Sequence, residues 1–258
     1  MFSRAIFKQS LKANVRMFMM ATIITSLMMV VMVAVFSPST ISGVGDVLGK
    51  TGLIQSTSFL GMLGSTFFAI QGILLPIIFI ILTANNLIAS QVDKGSMAYL
   101  LSTPTKRATV VRTQALFLIA SLIIMVGIIT GVGVFSIHTF QSDVDVNMTD
   151  FYKMMLGLFL LMFSTSSISF FFSSVFNLSK NSLLFGGGIP VAFFLLHLMS
   201  SFSPDLEKLK YLSLNTLFDT SAIAKGDNIL PNFIILLIIG CSFYIASLIV
   251  FDKKDLPL

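Results

Sequence analysis

The sequence predicts an all-α polytopic membrane protein with six transmembrane helices, an N-terminal interfacial amphipathic helix and both termini in the cytoplasm. Three observations carry this prediction. Charged residues make up 10% of the chain and hydrophobic ones 55%, and the mean hydropathy is +0.96. A soluble domain carries about a quarter charged residues, because its surface must face water. Six stretches lack Asp, Glu, Lys and Arg altogether, and each is close to the roughly 20 residues a helix needs to cross a bilayer core. Finally, the basic residues gather on one side of those stretches, which fixes orientation.

The expected spans are 17–36, 66–90, 113–137, 154–176, 181–200 and 231–251. Helices are predicted because backbone groups in lipid must be satisfied internally, and none of the runs alternates as a barrel strand would. The first run follows four basic residues but is followed by no small-residue cleavage site, so it reads as a retained span. An even number of spans places both termini together. Eleven of the sixteen Lys and Arg fall on the side of the termini, and eight of the eleven acids fall on the other. That asymmetry makes the termini cytoplasmic.

The same composition excludes other classes. The net charge of +5 is scattered between apolar runs, with no basic domain to hold nucleic acid. One cysteine, Cys241, builds neither a disulfide framework nor a metal cluster, and it reads as a small buried hydrophobe. The two histidines, His138 and His197, are far apart, and no catalytic triad or zinc spacing occurs.

Two cytoplasmic segments stand out. Arg4, Lys8, Lys12 and Arg16 recur every four residues, drawing a basic stripe on a helix, with Phe2, Ile6, Leu11 and Val15 largely on another flank. Residues 1–16 thus read as a helix lying in the headgroup layer, its cations toward anionic lipid; the alternative is an ordinary positively charged flank. The second segment, 91–112, joins spans two and three. It is polar at both ends and apolar in the middle, Gly95-Ser96 can start a helical turn, and Pro104 stops it ahead of Lys106-Arg107. Taken alone, it is equally a docking peg for a soluble partner or a plain connecting loop.

The residues Gly95, Ser96, Leu100, Leu101, Ser102, Pro104 and Arg107, behind an acid–base pair, resemble the corresponding loop of type-2 ATP-binding-cassette (ABC) permease subunits of bacterial exporters. The tail from Phe251 through Asp255 to Leu258, the stretch from Tyr211 through Asn215 to Gly226, and the six-span layout are similar too. Asp93-Lys94 departs from the Glu-Arg pair commoner in that family. The resemblance implies a multi-pass subunit of a bacterial cytoplasmic membrane, paired with a second permease chain as homodimer or heterodimer. It also implies a separate cytoplasmic ABC ATPase that carries ATP and Mg and docks on Asp93, Lys94, Gly95, Ser96, Leu100, Leu101, Pro104 and Arg107. No cofactor is expected on this chain. Val44 to Thr51 nearly spells a phosphate loop, but Val44 stands where the first glycine is required, and no strand precedes it.

Polar residues inside the spans give further candidates. Gln71, Asn85 and Asn86 on span two, and Ser164, Thr165, Ser166, Ser167, Ser169, Ser173 and Ser174 on span four, either bind helices together or line a transit path. For a path, Gln71, Asn85, Asn86, Ser164 and Ser167 are the candidates. Pro76 should kink span two. Gly127 and Gly131 offer a small-residue face for helix contact, and Gly186-Gly187-Gly188 with Pro190 marks a flexible or broken start to span five or a close packing point. Residues 201–228 should form short helices at the outer interface. Two functions follow: the membrane half of an exporter, its cargo an amphipathic or antimicrobial peptide in view of fifteen Met and twenty-six Phe, or a non-transporting sensor or immunity component that binds a peptide or lipid. An ion-coupled carrier would need ionisable groups near the midplane, and the spans have no acid or basic lysine or arginine there.

Overall fold

The computed structural model describes residues 3–36, 58–97, 106–142, 146–202 and 211–254. Six helices are long and apolar enough to cross a membrane: α1 (Arg4–Val35), α2 (Phe59–Asp93), α3 (Arg107–Phe140), α4 (Met148–Val175), α5 (Ser179–Phe202) and α7 (Leu230–Lys253). A short α6 (Thr220–Lys225) precedes the last of them, and no strand occurs among the described residues. Several helices outrun their apolar stretches, because backbone bonds close within the helix whatever solvent surrounds it. From Arg4 onward the amphipathic segment and the first span are one unbroken helix of 32 residues. Its length of about 48 Å exceeds the roughly 30 Å of a hydrocarbon core.

Ser3 and Lys254, the first and last described residues, lie at one end of the bundle, called here the terminal end. The Ser3 N–H donates to the Thr113 hydroxyl at 3.2 Å, and the Arg107 guanidinium donates to the Lys254 carbonyl at 3.0 Å. At the far end, the Gln141 side-chain amide donates to the Val33 and Phe36 carbonyls at 2.8 and 2.7 Å. It thereby satisfies carbonyls that the end of α1 leaves open.

α4 is the centre of the bundle: 78% of its apolar window is buried, against 28% in each of α1, α5 and α7. Its longest seam is with α7, whose buried stripe Phe233, Leu236, Gly240, Tyr244, Ser247 and Phe251 recurs at helical spacing. Gly240 lets the two backbones approach, and a Cβ there would overlap the Phe163 ring. Beside it, Phe163 and Phe170 flank Tyr244 with ring centroids 5.3 and 5.6 Å away. Ser166 donates to the Phe163 carbonyl at 2.7 Å, which commits its only proton. The Tyr244 hydroxyl, 2.7 Å from Ser166 Oγ, is therefore the donor between them.

α2 is irregular in three places. Gly64–Gln71 is a wide π-helical stretch; Pro76 removes a backbone donor within the helix; and the helix breaks at Ile88, where φ is −126° and ψ −71°. α5 runs unbroken through its three glycines. Gly186 and Gly187 are packing points, a Cβ on them lying 3.1 Å from the Ser169 carbonyl oxygen and 2.8 Å from Ile81 respectively, whereas Gly188 faces open space. Two other expectations change. Cys241 is exposed, because its neighbour Gly240 takes the face toward α4. Gly127 and Gly131 also face outward, with nothing within 4 Å of a Cβ.

The far end is closed by the short helices expected before the last span. Asp219 caps α6 by accepting from the Ser221 and Ala222 N–H groups, and Gly226 ends it at a φ of 79°. These elements do more than rest on a surface. Phe218 and Ile223 are 3% and 1% exposed, and the Phe218 ring lies 6.1 Å from that of Phe68 in α2.

Candidate functional site

The sequence candidates for docking lie at the terminal end. α2 resumes for one turn after the break at Ile88 and ends at Lys94, whose N–H donates to the Ser90 carbonyl at 3.2 Å. Gly95 follows with a φ of 70°, the left-handed conformation that glycine adopts without Cβ strain. Helix resumes at Ser96 and Met97, as the sequence suggested, and the Ser96 hydroxyl donates back to the Gln91 carbonyl at 3.1 Å, tying the new turn to the helix before it. Between buried Val92 and Met97, the four residues Asp93, Lys94, Gly95 and Ser96 are all exposed. They form a polar knuckle whose two flanks are pinned in the core. Leu100, Leu101, Ser102 and Pro104 lie outside the described residues.

Both ends of this connection are tied to other helices. Asp93 Oδ2 accepts from the Ser179 N–H at 3.3 Å at the start of α5, where a carboxylate also suits the positive end of the helix dipole. Asn85 donates to the Ser179 hydroxyl at 2.7 Å, so two residues of α2 grip one residue of α5. At the other end, Arg107 holds the Lys254 carbonyl, while the Lys254 ammonium donates to the Ser174 carbonyl at 3.0 Å where α4 ends. These bonds tie the two ends of the connection to α4, α5 and α7, besides the two helices it joins.

Burial holds the Lys254 ammonium well below the usual lysine value, at about 8. Between about pH 8 and 10.5 the unfolded chain keeps this proton and the folded chain releases it, so folded-state stability rises with pH across that window. Thermal melting in detergent tests this: the difference between wild type and Lys254→Met should grow in favour of wild type over the window. A flat difference would mean that the group is not desolvated.

Of the path candidates, Ser164 and Ser167 are fully buried and their hydroxyls are committed, to the Leu236 carbonyl at 2.5 Å and the Ser164 carbonyl at 2.6 Å. Asn85 is held at Ser179, Asn86 is exposed, and Gln71 sits in the π-helical stretch with its Oε1 buried and without a hydrogen bond. The five do not converge on one surface. Other serines of α4 repair its neighbours. Pro190 cannot donate to the Gly186 carbonyl, and Ser169 donates to that carbonyl at 2.7 Å instead. At the break in α2, Ser173 donates to the Ala84 carbonyl at 2.8 Å and accepts from the Ala89 N–H at 3.0 Å.

Comparison with known families settles what kind of subunit this is. Residues 5–256 match the family described as ABC-2 family transporter protein. The chain belongs to that family. No curated protein matches it. The match covers nearly the whole chain, so this ABC-2 permease is a multi-pass membrane component of an ABC transporter and works with an ABC ATPase subunit. Permeases of this family lack the ATPase site. Sequence reasoning found the connection between α2 and α3 and named Ser174 only as a polar residue of span four, and it missed Ser179 and Lys254. Only the polar start of α5 and the lysine pair ending α7 hinted at them.

Proposed function

We propose that this permease is the membrane half of an exporter, driven by a cytoplasmic ATPase that docks on the exposed knuckle Asp93–Ser96 and its continuation to Arg107. The observation that carries the reading is the double anchoring of this connection, to Ser179 of α5 through Asp93 and to the end of α7 through Arg107. A docking point has to pass on a push, and these bonds give the push somewhere to go. The charge asymmetry supports a cytoplasmic terminal end. ATP and Mg belong to the partner, and a second permease chain, identical or related, completes the path. The cargo we infer is an amphipathic peptide, for which a chain with fifteen Met and twenty-six Phe offers adaptable apolar surface.

The test is co-purification of the ATPase with wild type and with the Gly95→Val/Arg107→Gln double variant, followed by ATP turnover of the reconstituted complex. Valine at a φ of 70° is strained by about 1–2 kcal/mol, although it meets no neighbour within 4 Å. The expected result is loss of most bound ATPase and of coupled turnover, with the melting temperature within a few degrees of wild type. Equal binding and equal turnover would place docking elsewhere.

A further inference from the structure

The basic stripe of α1 is left without a role by docking. Arg4, Lys8, Lys12 and Arg16 are all exposed, and among the described residues none of the four forms an ion pair. They cannot turn inward. The opposite flank of the same turns, Ile6, Ser10 and Asn14, is 5%, 3% and 1% exposed, and the Phe7 ring meets Phe117 of α3 edge-on with centroids 5.5 Å apart. Packing on α3 therefore fixes the rotation of this segment, and the four cations point outward.

The same outward flank continues, one turn beyond Arg16, as Met19, Met20, Ile23, Leu27, Val31 and Val35, all exposed and apolar. One face thus changes from cationic to apolar within a turn, which is the profile of a surface crossing from headgroups into acyl chains. A second copy of the chain placed symmetrically on this face would set the stripe against itself, cation to cation. Lipid is the occupant that suits both halves.

We propose that the outward face of α1 binds anionic phospholipid headgroups of the leaflet at the terminal end, with Arg16 and Lys12 in direct contact. The graded roles follow from spacing. Successive cations stand about 6 Å apart along the axis, and a headgroup layer is about 5–8 Å deep. With Arg16 at the core boundary, Lys12 lies within the layer. Lys8 and Arg4 stand about 12 and 18 Å above the boundary, roughly 4–7 and 10–13 Å beyond the layer, where a screening length of about 8 Å weakens the hold of Lys8 on lipid and leaves Arg4 little. The inference rests on α1 crossing the membrane and not on the docking reading.

The experiment reconstitutes the full chain in bilayers of phosphatidylcholine with phosphatidylglycerol, and uses spin-labelled forms of each lipid to measure which is immobilised at the protein. Wild type should prefer phosphatidylglycerol, and Lys12→Gln/Arg16→Gln should cut that preference by about five-fold or more. Arg4→Gln/Lys8→Gln should change it less than Lys12→Gln/Arg16→Gln does, and the charge-keeping Lys12→Arg/Arg16→Lys should retain it. Salt at about 0.5 M should collapse the wild-type preference. That measurement needs no variant, so the electrostatic origin of the preference stays testable even if the double glutamine chain fails to insert. An unchanged preference in Lys12→Gln/Arg16→Gln, or a salt-insensitive one in wild type, would overturn the proposal. A larger loss from Arg4→Gln/Lys8→Gln would overturn it in favour of a soluble acidic partner.

Discussion

Replacing Ser173 with valine is expected to lower the melting temperature of the purified permease more than any other single hydroxyl deletion in α4. The side chain is fully buried and serves two backbone groups of α2, the Ala84 carbonyl and the Ala89 N–H, on either side of the break at Ile88. Valine removes both partners and leaves no route to water. Each buried group left unpaired costs about 1–3 kcal/mol. Interhelical hydrogen bonds in membranes measure less, about 0.6 kcal/mol on average, because the disrupted state finds other partners. Two groups lost together should still exceed the effect of Ser174→Ala, where the hydroxyl serves only its own helix, at the Phe170 carbonyl. Ser173→Thr keeps the hydroxyl and should recover much of the loss. If Ser173→Val melts like Ser174→Ala, the break in α2 is satisfied by something other than Ser173.

The second large effect is expected at Gly240. Its backbone lies so close to the Phe163 ring that even a methyl group overlaps it. Phe163 cannot retreat freely, since it packs on Phe159 at 6.2 Å and on Tyr244 at 5.3 Å. Overpacking in such a setting costs about 1–3 kcal/mol for a few added carbons. Gly240→Leu should separate α4 from α7, weaken the neighbouring Ser164–Leu236 and Tyr244–Ser166 hydrogen bonds, and reduce the yield of folded permease sharply. Cys241→Leu, one residue along on the exposed face, should have little effect. A pair of melting curves separates the two outcomes, and equal loss from both would mean that α7 is rotated from the position described.

The number and kind of helices were legible because lipid leaves the chain little choice: a long run without charge has to be a helix. The exposed turn after α2 was legible for a related reason. Asp93, Lys94, Gly95 and Ser96 interrupt an apolar run, and a glycine beside polar residues marks a turn. The break in α2 was not legible, since Leu87, Ile88 and Ala89 contain neither glycine nor proline. What holds it open is Ser173, which follows Ala84 by 89 residues, and no local pattern reports such a partner. The three glycines of α5 were only half legible. They read as a flexible or broken start to the span or, by preference, as a close packing point; the helix continues and the packing is found, because Gly186 admits α4 closely and Ser169 takes the carbonyl that Pro190 leaves free. The outward-facing Gly127 and Gly131 show the limit of small-residue spacing, which marks a face without saying what covers it.

The repair of α2 by Ser173 also sets an order in time. At about 5–20 residues per second of synthesis, the 89 residues from Ala84 to Ser173 take roughly 4–18 seconds to make. For that interval α2 has left the ribosome, while the hydroxyl that will close its gap is still untranslated. The break lies near the terminal end, next to the exposed residues Asp93 and Lys94. Water at the membrane surface can serve the open Ala84 carbonyl and Ala89 N–H while they wait. The same gap at mid-bilayer would have had no such stand-in, so its position lets a late-arriving helix complete an early one.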